Sequence, residues 1–252
     1  MKAFRADLHV HTVLSPCADI EMQPPLIVST ALDRGIQILS ITDHNATGNI
    51  AAVQKAADGT GLTILPGMEL QTAEEVHCLC IFDTLEQAHA LQTIVDRLLP
   101  PLANRPDYFG DQLYVDENGD FLGREERLLL SSVRLSISEA CHHVHRLGGL
   151  FIPAHVDRKA YGLLSHLGFV PADLPVDGLE VFRLSTPDQA RVKYPQVASY
   201  PLLHNGDAHR LDQIQGTNQY YLEGPSVSEI RQAIFGRNNR FFSFFPFRES
   251  VL

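Results

Sequence analysis

Seven side chains able to hold a metal ion stand at, or just beyond, the ends of segments that read as β-strands: His9, His11, His44, Glu69, His155, Asp207 and His209. Helical patterning fills most of the gaps between them. "PPLIVSTALDR", residues 24–34, opens on proline and stops at Gly35, as helices do. "IQILSI" follows as a buried strand that runs into "TDHN"; "NIAAVQKAADG" then reads as a helix and "LTILPGMEL" as a strand ending near Glu69. "EEVHCLCIF" alternates in polarity and predicts a hairpin with that strand, and "LEQAHALQTIVDRLL" is helical until Pro100 and Pro101 end it. "SISEACHHVHRLGG" carries a capping box from Ser136 to Glu139 and closes on Gly148-Gly149. The strands "LFIPAH", "DGLEVFR" and "YPLLHNGDAH" come next, then a last helix, "SVSEIRQAIF", with a second capping box from Ser226 to Glu229. Such alternation restricts the chain to an α/β barrel or a doubly wound sheet. The polar residues at strand ends select the barrel, whose strand C-termini converge on the one face that carries catalytic groups.

The 252 residues suffice for a single domain over 1–252. Residues 101–135 break the rhythm and read as an insertion beside the active site, with "YVDENGDFLG" as a hairpin turning at Asn118-Gly119. Its acidic cluster lacks the spacing of a calcium loop. Apolar residues make up 44% and charged residues 20%, which excludes a disordered chain. No apolar run approaches the roughly 18 residues of a membrane span. "MKAFRADLHV" has no signal-peptide core, so a cytoplasmic protein without a membrane partner is expected. Cys17, Cys78, Cys80 and Cys141 are too few and scattered for a disulfide framework and read as reduced. The formal charge of −10 opposes polyanion binding, so duplex nucleic acid is not expected as a partner.

In "LHVHT" the imidazoles of His9 and His11 point to the same side of a strand, together with Asp7. Imidazoles suit zinc, iron and manganese, and a carboxylate can bridge neighbouring ions. Seven converging donors exceed the needs of one ion, so two or three divalent transition-metal ions (Mn, Zn or Fe) are expected. Ions a few ångströms apart polarise phosphoryl oxygens and generate hydroxide from water.

The order "HVH", "TDHN", "GME", "PAH", "GDAH" resembles the PHP (polymerase and histidinol phosphatase) superfamily from Asp7 to about His209. The resemblance implies a distorted seven-stranded βα barrel with a cluster of usually three metals. Its members include histidinol phosphatases, nucleotide phosphatases, exonucleases and a domain of bacterial replicative polymerases. The implied ligands are His9, His11, Asp19, His44, Glu69, His77, His155, Asp207 and His209, with Glu69 bridging. The family pattern puts an aspartate directly after the serine that follows H-x-H. Here "SPCAD" intervenes, so Asp19 reaches the site through an insertion, with Glu21 as its rival. His209, His11 and Asp207 are the candidates for proton transfer. Arg158, in the loop after His155, is the expected phosphate clamp, with Arg210 and Arg183 as further candidates.

Asp7 and Asp43 are expected to orient ligand imidazoles through the nitrogen facing away from metal, and His204 to lie just behind the ligands. His142, His143 and His145, on a helix, read as surface or packing residues, and His89 and His166 carry no motif. The function expected is hydrolysis of a small phosphorylated metabolite or nucleotide by hydroxide attack on phosphorus. The alternatives are an exonuclease on short oligonucleotides, or a regulatory module that binds metal without catalysis.

Overall fold

A computed structural model describes residues 1–245. Strand β1 (Lys2–Val10) is followed by α1 (Pro24–Asp33), β2 (Ile38–Ile41), α2 (Ile50–Ala56) and β3 (Thr63–Gln71). The proline-led start and the Gly35 stop of α1 are both present, with Gly35 at φ +66°. Strand β4 (His77–Ile81) folds back on β3 without an intervening helix, pairing Gln71 with His77 and Glu69 with Leu79. Helix α3 (Leu85–Leu98), helix α4 (Pro106–Phe109), strands β5 (Leu113–Val115) and β6 (Phe121–Arg124), and helix α5 (Ile137–Arg146) lead to β7 (Leu150–Pro153). After α6 (Leu163–His166), the chain continues through β8 (Leu179–Val181), α7 (Pro187–Lys193), β9 (Leu202–His204), β10 (Asn218–Leu222), α8 (Val227–Ile234) and β11 (Phe241–Phe244).

The main sheet has seven strands in the order β11-β10-β1-β2-β3-β4-β7, and β8 pairs in parallel with β9. Backbone bonds carry the curl from β7 to β8, Asp177 N–H to Phe151 and Val156 N–H to Glu180. The segment after β9 returns to β1: the Ala208 N–H meets the His9 carbonyl, and the His11 N–H the Ala208 carbonyl, both at 3.0 Å. The outcome is the distorted barrel that the alternation predicts. Its distortion has a local cause, because β4 runs antiparallel to both β3 and β7.

Apolar side chains of α1 and α2 pack on β1 and β2, whereas α3 and α5 cover β3, β4 and β7. A further cluster joins Leu8, Ile38, Leu79, Ile152 and Tyr220 to Val227 and Ile230 of α8. The capping box of α5 is complete, with the Ser136 N–H donating to Glu139 at 2.9 Å. That of α8 is half formed: Ser226 accepts the Glu229 N–H, but the Glu229 carboxylate is taken by the Glu223 N–H and by Arg240.

Residues 101–135 hold the expected hairpin, with Gly119 at φ +88°. Asp116 accepts the N–H groups of Asn118 and Asp120, so its own turn satisfies it. The segment is laced to the loops after β1 and β2, through Leu113 N–H to Val13 and Asn45 Nδ2 to Leu129 and Ser131. Among the described residues no helix is long and apolar enough to cross a membrane.

Candidate metal centre

Glu69, 1% exposed near the end of β3, is the hub. Its Oε1 lies 2.9 Å from His77 Nδ1, 3.1 Å from His155 Nε2 and 3.3 Å from His9 Nε2. Its Oε2 lies 2.9 Å from His44 Nδ1 and 3.4 Å from His11 Nε2. A carboxylate with separate sets of imidazoles on its two oxygens has the form of a bridge. Asp207 approaches the same place, its Oδ1 3.5 Å from His9 Nε2 and 3.7 Å from His11 Nε2.

Two strand-end positions adopt backbone conformations that bulky residues avoid: His155 at φ +31° and Asp207 at φ +44°, with Asn45, next to His44, at φ +50°. Such outliers cluster at functional sites, where the surrounding structure over-determines them. Gly206 permits the turn into Asp207, because a Cβ there would stand 2.3 Å from the Gln213 carbonyl oxygen.

The imidazoles are oriented from behind. His9 Nδ1 sits 3.0 and 3.2 Å from the two oxygens of Glu180, leaving Nε2 for the centre. Glu180 also accepts the His155 N–H and the Asn205 amide. His11 Nδ1 bonds Ser15 Oγ at 2.9 Å, and that hydroxyl donates to Asp43 at 2.7 Å. His209 Nδ1 is held by the Asp207 carbonyl at 3.0 Å. This tethering fixes tautomers and ring planes, as in metal sites generally.

The donors fit metal ions better than they fit one another. His44 Nδ1, His77 Nδ1, His155 Nδ1 and Glu69 Oε2 are buried without a hydrogen-bond partner, although two of the three imidazole nitrogens lie 2.9 Å from Glu69. Leaving such groups unpaired in a protein interior is costly. Ligands bound at about 2.0–2.2 Å to one ion stand roughly 3 Å apart without bonding each other. Three overlapping groups have donor atoms within 4.8 Å: His9, His11 and Glu69; His44, Glu69 and His77; and His11, His44 and His209. They form a centre for two or three divalent transition-metal ions.

Charge follows the same geometry. Burial works against ionisation of Glu69, but His77, His9, His44 and His155 hold its carboxyl well below the usual range. Burial, together with His209 and His44, pushes His11 well down. Burial would also lower His9, yet Glu180, Glu69 and Asp207 outweigh it and raise the imidazole. At the mouth of the cleft, the His44 and His209 imidazoles outweigh desolvation and draw the Cys17 thiol down to about 6.

Asp19 lies elsewhere. It is exposed, and its carboxylate accepts the N–H of Glu21 at 3.3 Å, so it joins none of the donor groups. Glu21 is exposed too. The three-residue spacing carries the Asp19 side chain past the cleft, whose mouth is lined instead by Cys17. Asp7 does not orient an imidazole either: it accepts the N–H groups of Gly206, Gln215 and Gly216 and so clamps the loop that carries Asp207 and His209. Asp43 does act on His11, through Ser15. His204 bonds Thr217 and the Arg183 carbonyl. Arg158 and Arg183 line the cleft, whereas Arg210 is exposed outside it. Sequence reasoning missed Glu180, although its signal was present as one acidic residue inside the buried strand Leu179–Val181.

A distorted βα barrel with a polynuclear histidine and carboxylate centre at its strand ends defines the class of metal-dependent phosphoester hydrolases. The chain belongs to the PHP domain family, whose model matches residues 7–161. It is 26% identical over 269 residues to the uncharacterized protein YqxK of Bacillus subtilis, a match covering 95% of this chain and 64% of the relative. The lesion-specific endonuclease PfuEndoQ of Pyrococcus furiosus has a similar structure, with TM-score 0.71, 21% identity, 96% of this chain covered and 58% of that one. A complex of Endonuclease Q with a 27-mer duplex bearing an abasic lesion at the active site aligns with TM-score 0.70 and 21% identity, over 95% of this chain and 58% of that one. The chain thus spans about three fifths of the length of these proteins.

The duplex complex overturns the expectation that double-stranded nucleic acid is no partner for a chain of this kind. The error was to apply net charge to the whole molecule. A charge of −10 summed over 252 residues says little about a cleft that carries Arg158, Arg183 and donors for several cations.

Proposed function

We propose that the protein is a metal-dependent nuclease that hydrolyses phosphodiester bonds at the Glu69 centre. The observation that carries this reading is the set of aromatic rings and arginines that line the cleft beside the donors. Arg158 and Arg183 flank the Phe182 ring, their guanidinium carbons 5.6 and 5.9 Å from its centre. Tyr161 lies flat on His77, ring centres 4.4 Å apart and planes 1° from parallel. All four line one cleft of about 340 Å³ together with His44, Glu69, Asp207 and His209. Aromatic faces stack bases of any identity, and arginine forks grip phosphoryl oxygens in pairs. A phosphorylated metabolite needs the arginines but has less use for the rings. The volume is at the lower end for a ligand site and suits one nucleotide at a time.

In this reading His9, His11, His44, Glu69, His77, His155, Asp207 and His209 hold the ions, which supply Lewis acidity and an activated water. Glu180 and the Ser15–Asp43 pair keep the imidazoles aimed. Arg158, whose Nη1 is 3.4 Å from Asp207 Oδ2, reaches from the donors to the stacking wall and positions the scissile phosphate. His11, Asp207 and His209 act as donors to metal and not as proton carriers.

The test is cleavage of end-labelled single-stranded DNA, RNA, and duplex DNA with and without an abasic site, with manganese or zinc added, beside aryl phosphate and nucleotide monoesters. Diester cleavage is the expected result. Turnover confined to monoesters would overturn the nuclease reading and return the site to a metabolite phosphatase. Arg158→Lys should slow diester cleavage ~10-fold or more, since a charge-assisted paired contact contributes roughly 1.5–3 kcal/mol. Metal content should stay the same.

A further inference from the structure

One donor group, His44, Glu69 and His77, is held from a stretch of chain that supplies none of its donors, residues 129–133 at the end of the insertion. Gln71 is buried and pairs with His77 across the β3–β4 hairpin. Its side-chain Oε1 lies 3.2 Å from His77 Nε2. An amide oxygen only accepts, so the proton of the neutral imidazole sits on Nε2 and Nδ1 keeps its lone pair. That Nδ1 is a buried atom without a hydrogen-bond partner, 2.9 Å from Glu69 Oε1. The Gln71 amide nitrogen donates in turn to Ser132 Oγ at 2.9 Å, and the Gln71 carbonyl accepts the Val133 N–H at 2.9 Å. Asn45, directly after His44, ties the same stretch to the second imidazole of the group. Its N–H donates to the Glu69 carbonyl at 3.0 Å, and its Oδ1 accepts the Gln71 N–H at 2.9 Å. Its Nδ2 donates to the carbonyls of Leu129 and Ser131 at 2.8 and 2.9 Å. Between those two residues stands Leu130, which lines the cleft.

We propose that Gln71 and Asn45 are positioning residues through which residues 129–133 lock the His44, Glu69 and His77 position to the cleft lining at Leu130. Gln71 selects the His77 tautomer that leaves Nδ1 free for metal. Asn45 fixes the backbone between His44 and the cleft lining. The coupling runs both ways, as linkage requires. Fixing His44 and His77 at a metal ion also orders residues 129–133, and substrate pressed on Leu130 favours the filled position. The insertion thus governs metal retention as well as the shape of the cleft. The inference rests on the metal-centre reading but not on the choice of substrate.

Zinc titration of the full chain against a chelator tests it without any substrate. Gln71→Met keeps the side-chain length but removes both of its bonds, and should weaken retention of one ion by roughly 10- to 100-fold. Gln71→Glu restores an acceptor for the His77 Nε2–H and should hold that ion at least as tightly as the wild type. A packing role alone predicts the opposite order, because burying a charge is costly where burying methionine is not. That order, or equal affinity in all three proteins, would overturn the proposal and leave the Glu69 centre standing. No zinc binding at all overturns both. Hydrogen exchange reads the coupling. Zinc should slow exchange of the Val133 N–H by ~10-fold or more in the wild type, as ordering of a local unit does. It should not do so in Asn45→Gly, which tolerates the left-handed backbone but lacks the side chain. Exchange that ignores zinc in the wild type would overturn the coupling. A measurement free of variants is nitrogen-15 NMR of the histidine rings in the zinc-loaded wild type. His77 should carry its proton on Nε2, and a proton on Nδ1 would overturn the role of Gln71.

Discussion

Two buried carboxylates, Glu69 and Asp177, show opposite ways of placing charge inside this protein. Asp177 is saturated. Its Oδ1 accepts Arg231 Nε at 2.7 Å, and its Oδ2 accepts the Phe151 N–H and His145 Nε2, both at 2.9 Å. Burial alone would raise its pKa, but these three partners hold it below the usual carboxylate range. Glu69 is crowded by five imidazoles, yet its Oε2 and two neighbouring nitrogens have no proper hydrogen bond. The first cluster ties β7, α5 and α8 together and needs nothing more. The second is complete only with cations. A polar cluster with every bond made is architecture, whereas one with aligned donors and missing bonds is a binding site.

The sharpest way to break the contrast is to neutralise each carboxylate. Glu69→Gln keeps the shape but removes the charge that lets two cations sit close together. Activity should fall ~10³-fold or more, equivalent to about 4 kcal/mol, and metal content should drop while circular dichroism is unchanged. Full activity and metal content in this variant would refute the bridge. Asp177→Ala should do the reverse, lowering unfolding free energy in urea by about 2–3 kcal/mol. Its activity per folded molecule should not change, and reduced turnover at full stability would mean that the two regions are not separable.

Glu180 lies between these extremes, since it is saturated yet bonded to a metal donor. Glu180→Gln should weaken metal binding by roughly 10- to 100-fold, the usual range for a group that orients a ligand histidine. Competition with a chelator measures this, and unchanged affinity would show that His9 does not need its carboxylate. The smallest effect concerns pH. A carboxyl with a depressed folded pKa adds stability above its unfolded value of about 3.9, and that share is lost as pH falls through the folded value. The stability gap between wild type and Asp177→Asn should therefore be full near neutrality and shrink at pH below about 4. A gap independent of pH would assign the role of Asp177 to packing.

Much of the site was legible because metal chemistry limits which residue types can serve, and strand ends are readable from polarity. His44, Glu69, His77, Asp207 and His209 line the cleft, and His9, His11 and His155 meet Glu69 behind it. Asp19 failed because side-chain direction in a turn depends on backbone bonds to a distant segment, here the His209 carbonyl. Glu180 was hidden because its partner, His9, is 171 positions away. Asp7 was read one step too locally, since its bonds go to backbone more than 190 positions along the chain.

By itself, the sequence determined the βα alternation of the elements that carry the site, the strand ends that carry donors, and the expectation of several metals, but not β10 and β11, which extend the sheet beyond β1. Local periodicity and ligand chemistry encode all three. Closure of the sheet decided the rest: which imidazole meets which oxygen of Glu69, the alignment of Arg158 and Arg183 on Phe182, and the place of Cys17 at the cleft mouth. Those relations depend on strand curl, on left-handed backbone at His155 and Asp207, and on bonds between distant loops, none of which a linear pattern contains.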